Sequence, residues 1–167
     1  VGAGSPLRRW APERWRALAE HCAARGVAPV WCGGPEDRVL VATIDPDGRH
    51  ANLTGQLDLA QLWHLLRDAR QLVCLDSGIA HLAKLTHTPT TVLYGPGSPL
   101  LFGPGRFWRD APQIAAWDAS FPCRDQDTLF KRHLPWVARC QRDPAACGAR
   151  GVTPRCMEAL SLETVLG

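Results

Sequence analysis

A short apolar run ends in three residues whose side chains could do chemistry, Asp76, Ser77 and Gly78, and an imidazole, His81, follows one helical turn later. If a helix begins at Gly78, the unpaired N–H groups of its first turn and its dipole favour an anion. The glycine lets a phosphate approach the backbone closely, and the Ser77 hydroxyl and the His81 ring can each donate a hydrogen bond. These residue types in this order predict a phosphate-binding turn.

Two other interpretations of the same stretch stay open at this level. Asp76 or Ser77 could cap the helix, with His81 half-buried beside it, because Asp-Ser-Gly commonly precedes a helix. Ser77 could be a nucleophile, but the G-x-S-x-G elbow is missing and no second histidine is clearly placed as a base. The G-x-G-x-x-G fingerprint and the P-loop are absent from the sequence as well, which disfavours NAD and a Walker-type ATPase.

The elements around this turn alternate between helix and strand. The pattern predicts helices that begin at Pro12, Asp58 and Gly78, strands over residues 27–32, 72–75 and 90–94, and a short terminal helix near 161–166. The apolar stripe of the second helix comprises Leu59, Leu62, Leu66 and Ala69. Residues 38–44 fit a strand or a helix, and the pattern dissolves beyond residue 102. Short apolar strands that alternate with helices indicate an α/β fold, a Rossmann-like parallel sheet with helices on both faces, which binds ligands beyond the carboxyl ends of its strands.

Composition narrows the class of partner. The 167 residues are 46% hydrophobic and 21% charged, which is typical of one globular domain. The net charge of +3 comes from arginine, since Lys84 and Lys131 are the only lysines, and arginine suits phosphate and carboxylate groups. The excess of positive charge is too small for a nucleic-acid-binding surface. We therefore expect the ligand to be a phosphorylated small molecule and not a nucleic acid. No apolar run reaches the roughly 20 residues of a membrane span, and we expect no signal peptide.

Several segments become specific when they are taken together. They follow one another in the order "GAGSPLRRWAPERW", "GGPED", "NLTGQLDLAQLWHLLRDA", "DSGIAHLA" and "LYGPGSP". In this order they resemble glycosyltransferase family nine, the bacterial heptosyltransferases that use ADP-heptose. The resemblance implies the C-terminal, donor-binding half of a two-domain GT-B enzyme. It divides the chain into a nucleotide-sugar-binding core, residues 1–104, and a cysteine-bearing extension, residues 105–167, whose terminal helix packs on the same domain.

The resemblance also implies an activity and partners. The reaction would be inverting transfer of a heptosyl group from an ADP-sugar to lipopolysaccharide core or to a protein acceptor. The general base would be an aspartate of an N-terminal acceptor-binding domain, so this chain alone should not turn over. The location would be cytoplasmic or peripheral at the inner face of the bacterial inner membrane. Two other classes stay open: a nucleotide-binding module without transfer activity, and a metal-stabilised interaction module.

Residue roles follow from the matched motifs. Arg8, in "RRWAP" where the family has Lys-Arg-Trp-Pro, would contact the diphosphate, and Ser5 of the same loop is assigned to the donor site. Glu36, in preference to Asp37, would accept hydrogen bonds from the ribose hydroxyls. The family's Asp-Ser/Thr-Gly-x-x-His, which grips the diphosphate and the donor sugar, is matched here by Asp76, Ser77, Gly78 and His81. Gly97 stands where the family has threonine, so its loop should bind less specifically.

Seven cysteines fall into two groups. Cys22, Cys32 and Cys74 lie in apolar patterns and are expected to be buried. The other four lie in the polar last quarter, separated by 16, 6 and 8 residues: Cys123, Cys140, Cys147 and Cys156. They could form a tetrathiolate metal site, remain unpaired or form disulfides. The site residues we predict include all four as ligands of one zinc or iron ion, since thiolates favour soft metals and the resemblance includes members that hold iron at C-terminal cysteines.

Overall fold

A parallel sheet forms the centre of the protein. The structure is a computed structural model that describes residues 1–147 and 153–167. Strand β4 (Thr90–Leu93) lies between β3 (Leu72–Leu75) and β5 (Gln113–Ala116), and both pairings are parallel. Strand β1 (Val30–Trp31) pairs in parallel with β2 (Ala51–Asn52). The predicted α/β fold with a parallel sheet and flanking helices is therefore confirmed.

Seven α-helices and one hairpin are seen in residues 1–147 and 153–167. The helices are α1 (Pro12–Ala23), α2 (Arg38–Ile44), α3 (Leu59–Asp68), α4 (Gly78–Leu85), α5 (Pro99–Phe102), α6 (Arg155–Glu158) and α7 (Leu162–Leu166). The antiparallel hairpin joins β6 (Thr128–Leu129) to β7 (Arg132–His133). Within these residues, none of the helices is both long enough and apolar enough to cross a bilayer.

Asp58 caps the N-terminus of α3, as the sequence predicted. Asp58 accepts from the backbone N–H of Gln61 at 2.8 Å, and the Gln61 side chain accepts in return from the N–H of Asp58, a capping box. Residues 38–44, which the sequence left open, form α2, because Val41 and Ile44 bury one face of a helix there. Both elements lead the chain back to a strand.

Two expectations about these elements were wrong, and one strand was not predicted. The strand predicted over residues 27–32 is only Val30–Trp31, since Pro29 cannot donate to a ladder. Leu59 does not belong to the buried stripe of α3: it is 70% exposed, at the first position after the cap, and Leu66 is the buried member. Strand β5 was not predicted, and it carries the sheet past residue 104, into the segment we had assigned to the extension.

The main core lies between the N-terminal helices and the C-terminal ones. Trp10 packs edge-on against Trp15 at 5.1 Å, and its indole N–H donates to the carbonyl of Leu160 at 2.9 Å. Met157 is fully buried in the same cluster. Cys156 is buried as well, whereas Cys22 and Cys32, which were expected to be buried, are only half-buried. Cys74 is buried as expected.

The extension is attached to the loop that follows β4. The backbone N–H of Cys140 donates to the carbonyl of Pro96 at 2.8 Å. The buried guanidinium of Arg124 donates to the carbonyl of Gly95 at 2.8 Å and to that of Tyr94 at 3.2 Å. Hydrogen bonds from the extension thus stabilise the "GPGSP" loop. This loop lies at the carboxyl edge of the sheet, where ligands of such folds bind.

Candidate functional site

The turn between β3 and α4 leaves an open, polar helix N-terminus. Ser77 is the N-cap, in extended backbone conformation, yet its hydroxyl makes no capping hydrogen bond within the described part of the chain. A Cβ placed on Gly78 would meet no described atom within 4 Å, so there is free space in front of the first turn. The N–H of Ala80 donates to the carbonyl of Ser77 at 3.1 Å. The N–H groups of Gly78 and Ile79, together with the Ser77 hydroxyl, are therefore available to an anion.

Ser5 and Arg8 come to this turn from the N-terminal loop. The Ser5 hydroxyl accepts from the N–H of Leu7 at 3.3 Å and so caps the short 3-10 turn Pro6–Arg8. Arg8 at the end of that turn donates through Nη1 to the backbone carbonyl of Asp76 at 2.7 Å. The same Nη1 lies 4.0 Å from Asp76 Oδ2. The structure thus brings Arg8 and Asp76 together, as the sequence predicted for one site.

The carboxylate of Asp76 is buried without a full set of partners. It is 5% exposed, and its Oδ2 has no hydrogen-bond partner among the described residues. Burial raises the pKa of Asp76, while the charges of Arg8, His81 and Lys84 oppose that rise. Such an unpaired acceptor in a native structure calls for an explanation.

Gly97 makes room for this carboxylate. A Cβ on Gly97 would overlap Asp76 Oδ2 and come within 3.4 Å of the Tyr94 ring. Nearby in the sequence, Tyr94 Oη and Ser98 Oγ are also buried without a partner within residues 1–147 and 153–167. The glycine therefore does more than loosen the loop: it allows Asp76 to lie where it does, which the departure from threonine did not suggest.

His81 has a neighbour that sequence reasoning missed. His81 is exposed, and its Nδ1 lies 3.3 Å from Nζ of the buried Lys84, one turn along α4. Burial lowers the pKa of His81, the positive charge of Lys84 lowers it further, and Asp76 opposes both. The i, i+3 spacing of the two residues on one helix was the available signal.

Glu36 and Asp37 have different environments. Asp37 is buried, and its Oδ2 accepts from the N–H of Gly34 at 3.1 Å, so this carboxylate supports its own loop. Glu36 is exposed and lines an open cavity of about 670 Å³, together with Arg9, Arg14, Thr43 and Glu158. The backbone nitrogen of Val1 donates to the carbonyl oxygen of Cys32 at 3.2 Å. The loop that follows β1 and carries Glu36 therefore lies beside the N-terminal segment that carries Arg8.

The four cysteines of the extension converge on one small cavity. One small cavity of about 20 Å³ is lined by Cys123, Cys140, Cys147 and Cys156. Within residues 1–147 and 153–167, however, no group of three or more His, Cys, Asp or Glu side chains is arranged to hold a metal ion. Burial raises the pKa of Cys156 to about 11. The arrangement therefore does not support the predicted zinc or iron ion.

The residues of the candidate donor site lie within the part of the chain that matches a known protein family. The model of glycosyltransferase family 9 (heptosyltransferase) matches residues 2–131, which is more than half of the sequence. The chain belongs to glycosyltransferase family 9. Among family 9 relatives, lipooligosaccharide heptosyltransferase 2 of Haemophilus ducreyi is 34% identical over 102 residues, which make up 56% of this chain and 29% of that protein.

Solved structures give the same fold. Escherichia coli ADP-heptose lipopolysaccharide heptosyltransferase II aligns with 99% of this chain and 42% of its own, at a TM-score of 0.71 and 20% identity. Escherichia coli heptosyltransferase WaaC with ADP aligns with 68% of this chain and 35% of its own, at a TM-score of 0.59 and 22% identity. The chain spans about a third of the length of the curated family 9 relatives it matches.

Proposed function

We propose that this chain is the donor-binding half of an inverting heptosyltransferase and that it binds an ADP-sugar at the carboxyl ends of β3 and β4. The observation that carries the proposal is the open N-terminus of α4 beside Arg8 and the unpaired Asp76 carboxylate. A diphosphate needs N–H donors and positive charge, and this turn offers both. The ADP of the WaaC structure supports the choice of nucleotide.

Each predicted donor-site residue has a role in this proposal, and that of His81 is to supply a hydrogen bond or charge to the diphosphate. Ser77 and Gly78 donate to the diphosphate, and the guanidinium of Arg8, part of which is still exposed, balances its charge. Asp76 accepts from a hydroxyl of the donor sugar with the oxygen that is now unpaired. Glu36, the exposed acid of its pair, accepts from the ribose, and Ser5 holds the turn that presents Arg8.

Transfer needs a second half. Stabilising the departing diphosphate is the electrostatic contribution of these loops. The acceptor hydroxyl also needs a general base, which we place on an aspartate of an N-terminal acceptor-binding domain. We propose lipopolysaccharide core, or a protein, as the acceptor and the inner face of the bacterial inner membrane, or the cytoplasm beside it, as the location. The names of the curated relatives favour the glycolipid.

Isothermal titration of the purified chain with ADP tests the proposal. We expect saturable binding in the micromolar to millimolar range. Ser77→Ala and His81→Ala should each weaken it several-fold, whereas His64→Ala, which changes an exposed histidine on α3, should leave it unchanged. Absence of binding at millimolar ADP, or equal effects of His81→Ala and His64→Ala, would contradict the proposal.

The metal ion of the extension stays a prediction. Its support is the convergence of four thiols on one cavity, from positions separated by 16, 6 and 8 residues. Elemental analysis of the purified chain should then find close to one equivalent of zinc or iron. Cys147→Ser should lose the metal, and Cys22→Ser, at a half-buried cysteine on α1, should keep it. A metal-free wild type would end the prediction.

A further inference from the structure

Lys84 is a buried cation inside the candidate donor site. It lies on α4 with only 3% of its surface exposed, and an ammonium is rarely buried without partners. Its Nζ donates to the carbonyl of Phe102 at 3.0 Å and to that of Gly103 at 2.9 Å. The remaining contact is with Nδ1 of His81 at 3.3 Å. Two carbonyls and one imidazole nitrogen thus account for its three donors.

The third contact decides the state of the imidazole. An ammonium has three N–H donors and no acceptor, so the ring nitrogen that faces it must be the unprotonated one. A neutral imidazole with a free Nδ1 carries its proton on Nε2. We infer that Lys84 is a positioning residue that holds His81 in the neutral Nε2–H tautomer, as a hydrogen-bond donor to the anionic group of the donor substrate. The inference rests on the proposed function for the identity of that group.

The surrounding charges agree with a neutral ring. The charged groups that act on His81 are Lys84 on its own helix and Asp76 at the end of β3, and Arg8 lies against Asp76. Burial and Lys84 lower the pKa of His81, whereas Asp76 raises it, and the net direction is downward. At neutral pH the ring therefore contributes a directed hydrogen bond to a diphosphate, and Arg8 contributes the charge.

The same residue joins two loops of the site. Phe102 ends α5, Gly103 is its C-cap, and α5 directly follows the loop that contains Gly97. Lys84 therefore fixes the distance between the helix that carries His81 and the segment that leaves room for Asp76. A neutral side chain of similar length, such as methionine, would fill the space but leave both carbonyls without their donor.

The tautomer can be measured directly in the wild-type chain. Long-range ¹H–¹⁵N spectra distinguish the two ring nitrogens of each histidine, and His81→Gln assigns the signals. Without nucleotide, we expect His81 to show a protonated Nε2, an unprotonated Nδ1 and a pKa below that of an ordinary histidine. A proton on Nδ1, or a ring that is mostly imidazolium at pH 7, would overturn the inference whether or not any variant folds.

Lys84→Met extends the test, and Lys131→Met, at the only other lysine, is its matched control. In a folded Lys84→Met chain the pKa of His81 should rise, because the charge of Lys84 no longer lowers it while Asp76 still raises it. Both tautomers should then appear. ADP affinity should fall on the order of tenfold and depend on pH through the new pKa. An unchanged His81 in Lys84→Met would overturn the inference. If wild type has the expected tautomer but does not bind ADP, the proposed function fails and the role of Lys84 in holding the ring stands.

Discussion

Two carboxylates in this molecule, Asp76 and Asp45, have opposite surroundings. Asp45 follows α2 at the amino end of β2, where its Oδ1 accepts from the N–H of Arg49 at 2.9 Å. Its Oδ2 accepts from the N–H of His50 and from the indole N–H of Trp31, both at 3.0 Å. Asp76, at the carboxyl end of β3, is more deeply buried, and its Oδ2 has no partner among the described residues.

The pKa of each group follows from these surroundings. Burial alone would raise the pKa of Asp45, but the hydrogen bonds from Arg49, Trp31 and His50 hold it below the ordinary value. Burial raises the pKa of Asp76, and nearby cations offset only part of that rise. The carboxylate that precedes β2 thus stabilises the fold, whereas the one that follows β3 in the other sheet is kept at some cost to stability. That difference is typical of a functional group.

Asp76→Asn should have the largest effect on the donor site. The amide keeps the shape of the carboxylate but loses the charged acceptor, so affinity for an ADP-sugar should fall by about 10- to 100-fold, the range expected for a hydrogen bond to a charged group. The free energy of unfolding should stay the same or rise, because a buried charge has been removed. Calorimetry with the nucleotide sugar measures the change in affinity, and denaturant unfolding measures the change in stability. A variant that binds normally but unfolds easily would reverse the comparison.

Asp45→Ala should lower the stability of the fold and leave the affinity for ADP unchanged. Three donors lose their acceptor, and one of them is the indole of the buried Trp31, so the free energy of unfolding should drop by about 2 kcal/mol. Urea denaturation followed by tryptophan fluorescence measures this loss. ADP affinity of the folded fraction should not change. A large loss of ADP binding would show that the surroundings of Asp45 and the candidate donor site are not independent.

Gly97→Ala should have a smaller, purely steric effect. Its new Cβ would overlap Asp76 Oδ2, so the carboxylate must move away from its present place. We expect several-fold weaker binding of the nucleotide sugar. Gly4→Ala is the control, because its Cβ would meet no described atom within 4 Å. Equal behaviour of the two variants in calorimetry would contradict the assigned role of Gly97.

The smallest effect concerns pH. Asp76 has a raised pKa when folded, so its protonated form favours the folded state. As the pH rises from about 4 through the pKa of Asp76 in the folded protein, the free energy of unfolding of the wild type should fall relative to that of Asp76→Asn. Asp45 has a lowered pKa, so its contribution relative to Asp45→Asn is present above about 4 and is lost as pH falls through the lower folded value. Unfolding curves at several pH values should therefore give slopes of opposite sign for the two pairs.

Local patterns predicted the elements around the candidate site well. Strand β3, α4 and the order Asp76, Ser77, Gly78, His81 could be derived from neighbouring residues alone, since an apolar run followed by a cap and a helical stripe is a local signal. Lys84 was missed because two of its three partners, the carbonyls of Phe102 and Gly103, belong to another segment of the chain.

Long-range pairing explains the other misses. Strand β5 has two exposed residues and is defined by its register with β4, which no short window contains. The role of Gly97 depends on Asp76, more than twenty residues earlier, so the sequence showed only a departure from threonine. The cysteines of the extension converge as expected, yet the geometry around their cavity depends on the path of the whole extension.

The most direct measurement of where the diphosphate binds is a ¹H–¹⁵N titration of the backbone amides with ADP. Binding at the carboxyl ends of β3 and β4 predicts the largest shifts at the first-turn amides Ser77, Gly78 and Ile79, with Arg8 beside them and no change at Arg49 or His50. Shifts that cluster around Asp45, or none at millimolar ADP, would contradict a donor site at the N-terminus of α4.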